Sequence, residues 1–133
     1  MNSFEAKLVK IENLESLNIV HFRINNQNLS MMSLELNSSL EVDKNVKLLA
    51  KPTHIAIAKN FEGEISYSNQ LKAKIEKMDK GELLVSVYAR MEGFLLESII
   101  TRNSCEKMNL TVDDDVTLFI KASELSVIEV CDD

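Results

Sequence analysis

Tryptophan is absent, and two tyrosines with five phenylalanines bring the aromatic share of the 133 residues to only 5%. A platform that stacks nucleic-acid bases needs more rings than this. Positive charge is also scarce. Fifteen Lys and Arg face 21 Asp and Glu, a net charge of −6 at pH 7, whereas phosphate backbones are bound through basic stripes. Nucleic acid is therefore not an expected partner. The two cysteines, Cys105 and Cys131, are too few for a disulfide framework. The two histidines, His21 and His54, have no cysteine or carboxylate at ligand spacing, so no metal centre is expected. Asp113-Asp114-Asp115 lacks the alternating ligands of a calcium loop and reads as a polar turn. Apolar runs never approach the length of a membrane span. The opening, Met1 to Lys7, lacks the basic and then apolar character of a secretory signal. These absences set a reducing cytoplasm and no membrane as the expectation. No Ser–His–Asp or Cys–His constellation can be drawn, and no enzymatic role is expected.

What the chain has is a repeat. Asn2-Ser3-Phe4-Glu5-Ala6-Lys7-Leu8-Val9-Lys10-Ile11 returns 67 positions on as Asn69-Gln70-Leu71-Lys72-Ala73-Lys74-Ile75-Glu76-Lys77-Met78. Val42 to Thr53 returns as Val112 to Ser123, now 70 positions on. The second copy thus carries a three-residue insertion. Self-similarity of this kind makes the module, not the chain, the unit of the fold. The copies run over 1–62 and 63–133, joined by a short linker, 59–65, that is not Gly/Ser-rich, so they are expected to pack on each other. Each is near the size at which one core is only marginally stable, which makes self-association the expected supplement.

Period-two alternation gives the fold class. Val20, Phe22 and Ile24 alternate with His21 and Arg23, and Val87, Ala89 and Met91 alternate with Tyr88 and Arg90 in the same phase. Val46, Leu48 and Ala50 match Val116, Leu118 and Ile120. Shorter strands are expected at Ala6–Ile11 and Ala73–Met78, and further ones at Leu29–Leu36 and Phe94–Ile100. Ile55–Ala58 and Leu125–Val130 are expected to close their own copies. A helical turn is expected only in the second copy, over the insertion, with Thr101 as N-cap and Asn109 in the left-handed conformation at its end. The expectation is an all-β chain of two tandem OB-like five-stranded barrels, the second with a short helix.

Two polar spots stand out: Ser66-Tyr67-Ser68-Asn69-Gln70 before a strand, and Lys121-Ala122-Ser123 after one. Hydroxyls, an amide, backbone N–H groups and an ammonium can hold a small oxyanion. Equally, the first reads as an ordinary turn and the second as a solvated strand end. Together with Ile99-Ile100-Thr101 and Asp113-Asp114-Asp115-Val116, these segments resemble the Mop module of molybdate-binding proteins, the TOBE-type domain. That family carries Ser-Ala-Arg-Asn-Gln-Leu at the first spot and Lys-Ala-Ser at the second. The resemblance covers the whole second copy and extends, through the repeat, to the first.

The resemblance implies a double-Mop, molbindin-like chain forming a homotrimer of six modules. It also implies that tetrahedral molybdate or tungstate is held where modules meet, for intracellular molybdenum storage and homeostasis. The alternative is a molybdate-sensing regulatory or oligomerisation module acting through a separate partner. Carried over by position, the ligand-binding residues are Ser66, Tyr67 through its backbone, Ser68, Asn69, Lys121, Ala122 and Ser123. Lys51 and Thr53 are the first-copy equivalents of Lys121 and Ser123, and Asn2 is that of Asn69. The chain departs from the pattern in three places. Ser68 replaces the usual arginine, Met1 alone stands where Ser68 would, and Pro52, which has no N–H, replaces the alanine between Lys51 and Thr53.

Overall fold

The computed structural model describes residues 2–36 and 39–131. Met1 and the expected Asp132-Asp133 tail lie outside them. The first copy forms β1 (Asn2–Leu14), β2 (Leu17–Ile24), β3 (Gln27–Ser33), β4 (Asn45–Ala50), a 3-10 turn (Pro52–His54) and β5 (Ile55–Ala58). The second forms β6 (Asn69–Lys80), β7 (Leu84–Met91), β8 (Phe94–Thr101), α1 (Arg102–Lys107), β9 (Asp115–Ile120), a second 3-10 turn (Ala122–Glu124) and β10 (Ser126–Cys131). The fold is all-β and OB-like, in two five-stranded curled sheets.

The repeat persists in the backbone. Strand β1 bulges between Leu8 and Lys10, and β6 bulges at the equivalent Ile75–Lys77 step. Asn25 and Glu92, 67 apart, both take positive φ, as do Asp43 and Asp113, 70 apart. In the second copy Gly93 follows Glu92 with φ of 91°, so both central residues of that two-residue hairpin are left-handed, as a type I′ turn requires. Helix α1 begins as its sequence implies: the Thr101 hydroxyl accepts from Ser104 N, 3.1 Å. Asn109 takes φ of 49° at the end of the following turn.

Two expectations about strands need correction. The opening strands are longer than expected, reaching back to Asn2 and Asn69. Both asparagines are buried and continue the inward phase of Phe4, Ala6 and Leu8 and of Leu71, Ala73 and Ile75. The closing strands are exchanged. One sheet runs β10-β4-β1-β2-β3 and the other β5-β9-β6-β7-β8. Ile55 to Ala58 pair with β9 of the second copy, and Ser126 to Cys131 pair with β4 of the first. The 3-10 turns carry each chain segment across. Lys51 O accepts from His54 N at 2.9 Å and Lys121 O from Glu124 N at 2.8 Å.

The exchange makes one core of two. Phe4, Leu8, Phe22, Leu48 and Ile55 join Leu71, Ile75, Met91, Leu96, Leu118 and Leu125 in a single buried cluster. Each such side chain contributes about 1.5–3 kcal/mol on full burial, and neither copy could bury this surface alone.

Candidate oxyanion site

Strand pairing places the two polar spots at one end of the second sheet. Asn69, the first residue of β6, lies opposite Ile120, the last of β9. The turn that precedes Asn69 and the Lys121 that follows Ile120 therefore leave the sheet together. On the other flank of β9, Ile55 also faces Ile120, which brings Thr53 and His54 of the first copy beside the same strand end.

The donors here are uncommitted. Ser66, Ser68, Thr53, Lys51, Lys121 and Ser123 are exposed. Among the described residues, none of their side chains makes a hydrogen bond or ion pair, while six other lysine or arginine side chains pair with carboxylates. In a chain of net −6, two ammonium groups without a carboxylate partner keep their positive charge available to an anion. Tyr67 is held in place. Its carbonyl accepts from Gln70 Nε2 at 3.0 Å, and its ring lies 6.0 Å from Phe119, which also meets Phe61 edge-on at 5.2 Å. The linker is thereby folded over β9.

Asn69 does different work. It is fully buried. Its Nδ2 donates to Ser30 O at 2.9 Å, and its Oδ1 accepts from Ser30 N at 2.6 Å. The side-chain amide thus pairs with the backbone of β3 as a strand would. Asn2 repeats this against the second copy, donating to Glu97 O at 2.7 Å and accepting from Glu97 N at 2.8 Å. Ser30 and Glu97 are again 67 apart, so the copies grip each other through matched contacts around a local twofold axis. Ala122 is half-buried in its 3-10 turn.

Of the remaining candidates, four line two concavities, and Ser68 lies apart from them in a third with Asn26, Gln27 and Asn28. Thr53 and Tyr67 line a cleft of about 360 Å³ with the hydroxyls of Thr101 and Ser104. Lys51 and Ser123 line a smaller one of about 210 Å³, together with His54, Glu124 and Ser126. His54 Nδ1 meets Glu124 Oε2 at 3.1 Å. These two residues are equivalents in the repeat, so their contact marks the axis itself. Sequence reasoning set His54 aside and passed over Glu124. The 70-residue offset relates them, but only the strand exchange brings them together.

The acidic turn is engaged within the fold. Asp114 accepts from Thr111 N at 2.9 Å and pairs with Lys59 Nζ at 3.1 Å. The Thr111 N–H, then Lys59, hold its carboxyl below the usual aspartate value. Lys59 also donates to Asn109 O at 2.9 Å, tying the linker to the turn before β9. The Glu12 carboxyl is likewise lowered, first by its hydrogen bond with His21 and then by Lys10.

Comparison with known proteins now bears on the site. Residues 65–127 match the model of the TOBE domain family. The second copy is a TOBE domain. This bears out the resemblance to Mop-type proteins on which the residue assignments rest. The TOBE match also covers the candidate turn from Ser66 and the strand end through Ser123. The tandem fold as a whole is shared with the cytoplasmic molybdate-binding protein ModG, crystallised with molybdate bound. The TM-score is 0.88 at 18% identity, over 95% of this chain and 94% of that one. At that identity the likeness concerns the fold. A molybdate-binding protein from Sporomusa ovata is 30% identical, with a TM-score of 0.49, over 50% of this chain and 100% of that one. A search of curated proteins finds no match.

Proposed function

We propose that the chain binds molybdate or tungstate and holds it in the cytoplasm as a store. Ser66, the Tyr67 backbone, Ser68 and Lys121, with Ala122, supply one side of the site. Lys51 and Thr53 of a neighbouring chain in a homotrimer complete it. The observation that carries this reading is the set of uncommitted donors at the start of β6 and the end of β9, within the TOBE domain. It is supported by the shared tandem fold of ModG, whose crystals contain molybdate. Repeats 1–62 and 63–133 act in it as sequence units, each sheet closed by a strand from the other repeat.

The chemistry is capture without bond breaking. A dianion entering a cleft loses hydration, and only several charge-assisted hydrogen bonds offset that loss. With Ser68 in place of arginine, the seam offers lysine ammoniums and hydroxyls rather than a bidentate guanidinium. Isothermal titration with molybdate, tungstate and sulfate tests the reading. Heat is expected with the first two. Absence of heat with any oxyanion from folded protein would reject storage and favour the regulatory module. Lys121→Ala should weaken affinity about 10-fold or more, the scale of a lost hydrogen bond to a charged group, and leave the assembly intact.

A further inference from the structure

We propose that the outward face of the second sheet, beside the linker, binds a small aromatic phosphomonoester, with its ring against Phe61 and its phosphate on Lys72 and Arg90. The proposal goes beyond the oxyanion reading and uses none of that site's residues.

The concavity there lies between the outward sides of β6, β7 and β9 and the linker, and holds about 520 Å³. Small-molecule clefts run from about 300 to 1,000 Å³, and a bare tetrahedral ion would fill little of this one. Three cations, Lys72, Lys74 and Arg90, line it against one carboxylate, Asp115. Lys74 meets Asp115 at 3.4 Å, and Arg90 meets Glu76 at 2.8 Å. All four side chains are exposed, where such pairs are weak, so the cations can turn to a dianion. Lys72 has no ion-pair partner among the described residues, and its backbone N–H is fixed by Gln27 Oε1 at 2.6 Å. In a chain of net −6, this local excess of positive charge draws an anion, held through charge-assisted hydrogen bonds.

The linker makes the wall rigid and gives it a ring. Lys59 is tied to Asp114 and to Asn109 O. Asn60 turns the chain with φ of 56°. Phe61 then sets its ring edge-on to Phe119 at 5.2 Å and stays 37% exposed. An aromatic ligand can extend that pair without having to order the linker first. A half-open ring beside cations fits an aromatic body with an anionic end. The repeat shows that the first sheet lacks this combination. Glu5 stands where Lys72 does, 67 positions apart, and Cys131 stands where Phe61 does, 70 apart.

The test is a titration of the ¹⁵N-labelled full chain with phenyl phosphate, inorganic phosphate and phenol, followed by amide chemical shifts. Saturable shifts are expected with phenyl phosphate at residues 60–61, 72–74 and 90, at an affinity above that of either half-ligand. The exposed Lys72→Glu should weaken binding about 10-fold or more. Phe61→Ala should weaken it about 3-fold or more, towards the affinity for inorganic phosphate. Absence of saturable shifts would overturn the proposal. So would shifts centred on the Ser66 turn and Lys121, which would place the ligand at the oxyanion site. Inorganic phosphate binding as tightly as phenyl phosphate, or either variant binding as the wild type does, would overturn it as well.

Discussion

Asn69 shows how much one side chain can do in this fold. Both of its amide groups are spent on the Ser30 backbone, and no part of it reaches solvent. Asn69→Ala would leave the Ser30 N–H and C=O without partners at a half-buried position, at a cost of about 2–4 kcal/mol. A urea titration followed by circular dichroism should show that loss, and a change under 1 kcal/mol would mean the pairing is dispensable. Sequence alone marks Asn69 as notable through its repeat partner Asn2, but it cannot reveal that the amide faces β3 rather than a ligand. Asp114 offers a pH test. Its folded pKa is depressed by Thr111 and Lys59, so its contribution is fully present above the ordinary aspartate range and is lost as pH falls through the folded value. Asp114→Asn should lower the melting temperature at pH 7, and the gap from wild type should close on acidification through that range. A gap that stayed constant with pH would contradict the assignment.

Among the elements, the exchanged strands decide the behaviour of fragments. Alternation made nearly every strand legible: the inward residues of β2 and β7, and of β4 and β9, fall where the period-two pattern puts them. Helix α1 was legible through Thr101 and Asn109, because capping is local chemistry. The exchange was not legible. Ile55–Ala58 and Ser126–Cys131 are equally good neighbours for β4 or β9, since both copies present the same apolar edge. Only the direction in which each 3-10 turn leaves the sheet chooses between them. A fragment of residues 63–131 lacks β5, so the edge of its β9 is open while its own β10 points away. Two such fragments are expected to exchange β10 and form a dimer, measured by light scattering after size exclusion. A folded monomer would show that β10 can close its own sheet. Removing the N-cap with Thr101→Ala should cost about 1 kcal/mol, read as a shift of the urea midpoint.

At the scale of the whole molecule, one core and a local twofold axis make the chain a fused pair of modules, with its bare donors at the ends of β4 and β9. The repeat and the polar spots were legible as sequence. The gathering of Lys51, His54 and Ser123 was not, because it depends on the crossing at the axis. Ligand held in a seam between chains stabilises the assembly that forms the seam. Native mass spectrometry, with and without molybdate, measures subunit count and bound ligand together. Three chains are expected, with molybdate adding mass to the trimer in discrete steps and protecting it from dissociation. A chain that stays monomeric whether or not molybdate is supplied would contradict a site built between subunits.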